Sequence, residues 1–160
     1  MKKGRIDIIN ILKYGMVLVI FIYVVFLVIG QGGDAPMEQV QENVLKAAGT
    51  KGMKKAGTQE FKRYYGLNSN DYEDVVLYLP SDVMGAEELL LVRVKNESQT
   101  ESVRSAAQER LNTQTESFEG YGAEQTKLLK SAVLETRGSY VIMVVGKDAD
   151  KAFTAFKKSL

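Results

Sequence analysis

Two groups of carboxylates raise the first chemical possibility. One lies in Asp71-Tyr72-Glu73-Asp74, the other is Glu87-Glu88. A facing pair of such acids can hydrolyse a glycosidic bond, one as acid and one as nucleophile or base. Acids flanking strands are ordinarily a solvated rim, and no spacing here sets the two groups across a groove. Asn68-Ser69-Asn70-Asp71 offers calcium-type oxygen ligands. An EF-hand loop counted from Asn68 would need Gly sixth and Glu twelfth, where this chain has Glu73 and Leu79. An Asn/Asp turn is expected there instead. The chain has no His and no Cys, which excludes the usual nitrogen and sulfur zinc ligands, a thiol nucleophile, a Ser-His-Asp triad and a disulfide. S-x-x-K, G-x-x-x-x-G-K-[ST] and G-x-G-x-x-G are also absent. No catalytic residue, metal ligand or cofactor is therefore assigned.

Binding chemistry is better represented. Lys46, Lys51, Lys54, Lys55, Lys62 and Arg63 are accompanied within residues 46–63 by one acid, Glu60, for a local net charge of +5. Such a stretch attracts anionic lipid headgroups or an anionic polymer; its ordinary alternative is a solvated face balanced by acids elsewhere. Lys51, Lys54, Lys55, Lys62 and Arg63 are the candidate contacts. Phe118-Glu119-Gly120-Tyr121-Gly122 sets aromatics beside glycines, which suits a peptide or glycan groove. It equally suits a helix C-terminus with Gly120 in the left-handed conformation. Phe118, Gly120 and Tyr121 join the candidates. Asn96-Glu97-Ser98 fits the glycosylation pattern, which is ordinarily silent in a bacterium.

These residues must be positioned by two unlike parts of the chain. The protein has 160 residues, 45% hydrophobic and 26% charged, with a net charge of +1. Residues 1–30 hold four basic side chains and one acid, leaving 17 and 19 for the rest. That nearly neutral body excludes a general nucleic-acid binder, which is strongly basic. From Tyr14 to Gly30 no residue is charged, and at 1.5 Å per residue a helix there spans about 25 Å, near the lower limit for a membrane crossing. Lys2, Lys3, Arg5 and Lys13 precede this run, while Gln31, Gly32, Gly33 and Asp34 follow it. The positive-inside bias places the N-terminus in the cytoplasm and the body outside. A cleaved signal peptide fits poorly, because VIGQGGDAP offers no good small-x-small site. A buried core helix would show a polar face.

Residues 31–36 are expected to be a linker and residues 37–160 the outward domain. Met37, Val40, Val44 and Ala48 recur at helical spacing, and Gly49, Gly52 and Gly57 then suggest a loop before a short helix at 59–65. Val75–Leu79 and Leu89–Val94 form one predicted strand pair; 133–136 and 140–145 form another around Arg137-Gly138. Between the pairs, residues 99–118 show a stripe of Val103, Ala107, Leu111 and Phe118, followed by a helix from Ala123 to about Ser131. A last helix from Asp148 closes the chain, with Asp148 as its expected cap. The second strand of each pair is apolar on both sides, as central strands are. The expected class is α+β: one N-terminal transmembrane helix, then a mostly antiparallel sheet of about four strands in two hairpins, with helices on one face.

The segments YYGLNSNDYEDVVLYLPSDVMGAEELLLVRVK and FEGYGAEQTKLLKSAVLETRGSYVIMVV, with Phe118-Glu119-Gly120-Tyr121, Glu124-Gln125 and the GSYV strand as their more recognisable pieces, resemble domain of unknown function family 4358. The resemblance covers about Phe61 to Leu160. It implies an envelope-associated protein of Gram-positive, clostridial-type bacteria and brings no catalytic residues. Many members resemble lipoproteins, from which this cysteine-free anchor departs. Residues 1–13 are thus expected in the cytoplasm and 14–30 in the cell membrane. The domain beyond is expected to be a non-catalytic module binding an envelope protein or anionic polymer. The alternatives are a small cell-wall glycan hydrolase using Asp or Glu, Glu88 for instance, and an accessory subunit of a membrane complex.

Overall fold

The computed structural model describes residues 8–29 and 35–160. The chain divides into two compact units, Met1–Gly32 and Gly33–Leu160. The expected cytoplasmic segment lies outside the described residues up to residue 7, and so does the linker except for Ala35 and Pro36.

In the first unit, α1 runs from Ile8 to Ile29. Its large side chains described from Ile11 to Val24 are all exposed, Tyr14 at 71% and Val24 at 48%. The span expected over 14–30 falls within α1 apart from residue 30. Among the described residues no helix is long and apolar enough to cross a membrane; in α1 the side chains are described over residues 11–25 only.

The second unit contains α2 (Met37–Ala48), β1 (Met53–Ala56), α3 (Thr58–Tyr65), β2 (Asp74–Pro80), β3 (Glu88–Arg93), α4 (Thr100–Phe118), α5 (Ala123–Lys130), β4 (Val133–Arg137), β5 (Tyr140–Val145) and α6 (Ala149–Ser159). It is α+β, with a five-stranded sheet in the order β1-β2-β3-β5-β4 and every pairing antiparallel. The expectation of about four strands is corrected by β1. Of the glycines that suggested a loop, Gly49 ends α2, Gly57 precedes α3 and Gly52 makes a turn between them. Met53 N–H donates to Thr50 C=O at 3.0 Å, and Gly52 takes a φ of +86°, which only glycine adopts freely. A four-residue strand, Met-Lys-Lys-Ala, carries too little alternation to stand out.

The expectation of helices on one face is also corrected. β3 and β5 occupy interior positions, and side chains from both of their faces are buried. Leu90, Val92, Val141 and Met143 pack with Phe61, Val103, Ala107 and Leu111 on the side of α3 and α4. Leu89, Leu91, Ile142 and Val144 pack with Val40, Val44, Ala152 and Phe156 on the side of α2 and α6. A strand apolar on both sides must be covered on both sides, since either face left in water forfeits about 25 cal/mol per Å² of apolar surface. The outer layer is tied by Asn43 Nδ2 donating to Ser159 Oγ at 3.0 Å and by the Tyr140 hydroxyl donating to Ala35 C=O at 2.7 Å.

One local expectation changes. Asp148 makes no side-chain cap on α6; it pairs with Lys151 at 2.6 Å.

Candidate functional site

The basic stretch does not act as one block. Lys51 lies in the turn before β1, and Lys62 is an exposed residue of α3. Neither lines the groove into which Lys54 and Arg63 are gathered and which Lys55 borders. In β1 successive residues point to opposite faces. Lys54 stands opposite Leu79 and Ala56 opposite Leu77, on the α3/α4 side; Lys55 stands opposite Tyr78, on the α2/α6 side. The groove encloses about 440 Å³ between β1, α3, α4 and the loop after β2. Its lining holds the cations Lys54, Arg63 and Arg110 against Glu60 and Asp82, and Lys55 borders it from β1 with its side chain on the other face.

Arg110 and Tyr64 line the same groove and are the candidate side chains that the sequence pattern did not reveal. The guanidinium carbon of Arg110 lies 4.5 Å from the centroid of the Tyr64 ring, and that of Arg63 lies 5.5 Å from it. One aromatic ring thus steadies two guanidinium groups. Arg110 falls three residues after Ala107 on the buried stripe of α4. A charge at such a position must find a partner. Its partner is Glu88, which shares its strand face with Leu90 and Val92 and is 2% exposed. Arg110 Nη2 donates to Glu88 Oε2 at 2.9 Å, and Nε lies 3.2 Å from both carboxylate oxygens. The Tyr65 hydroxyl also donates to Glu88 Oε1.

Burial, with the charge and hydrogen bond of Glu88 after it, holds the Tyr65 phenol protonated well above the ordinary tyrosine range. The folded protein keeps a proton there that the unfolded chain releases near pH 10. The resulting stability is fully present below that pH and declines as pH rises past it. Stability measured against pH should fall more steeply above about pH 10 in the wild type than in Tyr65→Phe; parallel curves would remove Tyr65 from this role.

Glu60 shapes the groove electrostatically. It accepts a hydrogen bond from Gly57 N–H at 3.0 Å. Hydrogen bonds from its own and the Gly57 backbone, then the charges of Lys54 and Arg63, hold its carboxyl below the usual range. Among the described residues the salt bridges are Arg93–Glu73, Arg110–Glu88 and Lys151–Asp148. Lys54, Lys55 and Arg63 take part in none of them.

The acids are not brought together for hydrolysis. Asp74 pairs with Arg93 at one end of β3, while Glu88 lies at the other end opposite Val145. Five residue steps at about 3.4 Å each separate these ends by about 17 Å, beyond either glycosidase spacing. Asn68 makes the expected turn, its side chain accepting from Asn70 N–H at 3.2 Å. Phe118 is core, 4% exposed. Its corner is built as a helix end: Gly122 N–H donates to Phe118 C=O at 2.9 Å and Gly120 has a φ of +95°. A Cβ on Gly122 would lie 2.7 Å from the Phe118 ring. Tyr121 remains 66% exposed, with its ring centroid 5.8 Å from that of Phe118.

Among the described residues no group of His, Cys, Asp and Glu is placed to hold a metal ion. The family model for a domain of unknown function (DUF4358) matches residues 46–146, which includes β1 and α3 as well as the segments that carried the resemblance. No curated protein and no solved structure matches the chain.

Proposed function

This chain belongs to the domain of unknown function (DUF4358) family, and on that premise we propose that it is a membrane-anchored, non-catalytic module of the bacterial cell envelope. Its second unit faces outward and binds an anionic partner in the groove between β1, α3 and α4. One observation carries the binding role. Lys54 and Arg63, free of salt bridges among the described residues, line one concave site with Arg110 and Tyr64, and the equally unbridged Lys55 borders it on β1. Its volume of about 440 Å³ falls within the range of ligand sites. The anchor is supported by the uncharged run from Tyr14 to Gly30 and by the exposure of apolar side chains on α1. A helix apolar all round is stable only inside protein or lipid. The basic residues ahead of that run support an outward domain.

Alkaline carbonate washing should leave the full-length protein in the membrane pellet. In detergent micelles it should bind polyglutamate, more weakly as salt is raised. The triple change Lys54→Glu, Lys55→Glu and Arg63→Glu should weaken that binding on the order of 100-fold, with two charge reversals inside the groove and one on the strand that borders it. Undiminished binding in the triple variant would exclude the groove as the contact.

A further inference from the structure

We propose that the occupant of this groove is an extended acidic peptide that adds as a strand to the free edge of β1, an inference that rests on the binding role proposed above. β1 is at the end of the sheet, and among the described residues it pairs with β2 alone. Ser81 N–H donates to Gly52 C=O at 2.8 Å, one step beyond the register Met53–Pro80. Antiparallel pairs alternate between bonded and non-bonded. Lys54 and Ala56 therefore direct their backbone groups towards β2, while Lys55 N–H and C=O and Met53 C=O point away from it. These three groups form a short pairing edge, with Met53 N–H already spent on the turn.

The charge on this edge decides the occupant. Lysines on an edge strand ordinarily prevent self-pairing. A second copy of β1 would set lysines against lysines, whereas an acidic strand sets carboxylates beside them. Cross-strand neighbours on one face approach within about 5.5 Å. Side chains of the added strand on the Lys54 face thus share the side on which α3 carries Arg63 and α4 carries Arg110. Those on the other face accompany Lys55. A polyphosphate satisfies the cations but has no donor for Lys55 C=O or Met53 C=O; a peptide supplies both donors and acceptors, as in strand-addition recognition.

The test titrates full-length protein in detergent micelles with three probes. They are a fluorescent peptide of alternating Glu and Val long enough to span β1, the same peptide N-methylated at every amide, and inorganic polyphosphate. The unmodified peptide should bind best, and N-methylation should weaken it at least about 10-fold by removing its donors. Lys54→Glu with Lys55→Glu should weaken it comparably, and bound peptide should slow amide exchange at Lys55. Equal affinity for the two peptides, with Lys55 exchange unchanged, overturns strand addition while the basic groove stands. Binding of polyphosphate in preference to either peptide overturns the peptide as occupant. Absence of binding by all three overturns the groove itself.

Discussion

Replacing Arg110 with Leu should destabilise the second unit by about 3–5 kcal/mol, the cost of leaving a buried carboxylate without its counterion. The side chains of Arg110 and Glu88 are 11% and 3% exposed. Glu88 accepts from Arg110 and from the Tyr65 hydroxyl, so removing the guanidinium strands a negative charge between α3, β3 and α4. The same change frees the Tyr64 ring, against which Arg110 lies at 4.5 Å, and loosens one wall of the groove. A combined variant, Tyr65→Phe, Glu88→Leu and Arg110→Met, removes every member of the network. It should recover most of the loss, because apolar side chains of similar volume escape the desolvation cost. Thermal and urea unfolding of the full chain in micelles, followed by circular dichroism, would measure both. An Arg110→Leu protein within about 1 kcal/mol of wild type would show that the network does not hold these elements together.

Phe156→Ala should cost a similar amount, about 3–5 kcal/mol, for a different reason. Phe156 is 0% exposed in the layer formed by α2, α6 and the sheet. Its ring meets Tyr140 edge-on at 6.2 Å and stacks with Phe153 at 6.3 Å. Truncation leaves a cavity that neither α6 nor the sheet can fill without moving. The expected fall in Tm is on the order of 10–20 °C for a unit of this size. Hydrogen exchange should quicken in α2 and α6 well before α4, because α4 draws its burial from the other layer. A small, evenly spread effect would contradict two separately packed helical layers. The outcome bears on function too: β1 and α3, which carry the groove, sit after α2 in the chain and depend on a sheet covered from both sides.

Much of this architecture was legible along the chain. The period of Met37, Val40 and Val44 announced α2 because a helix buries one stripe. The doubly apolar runs Leu89–Val94 and Tyr140–Val145 announced central strands. Their burial on both sides already required helices on both faces, a consequence that the pattern of the helices alone concealed. The cation stretch of residues 46–63 and its single acid were equally plain. β1 was hidden, because four residues with two adjacent lysines have no periodic signal, and their strand conformation comes from pairing with β2. The groove was hidden as well. Chain spacing says nothing of which lysines share a face, and the pleat of β1 sends Lys54 and Lys55 opposite ways. Arg110 and Glu88 lie far apart in sequence, each a charge on an otherwise apolar face. Local pattern determined most of the elements and their order, and composition excluded nitrogen- and sulfur-ligated zinc and thiol chemistry. Tertiary structure alone decided that two buried charges would meet, that Tyr64 would steady two guanidinium groups, and that the cations would line a concavity, because pairing and burial energies act between residues the chain keeps apart.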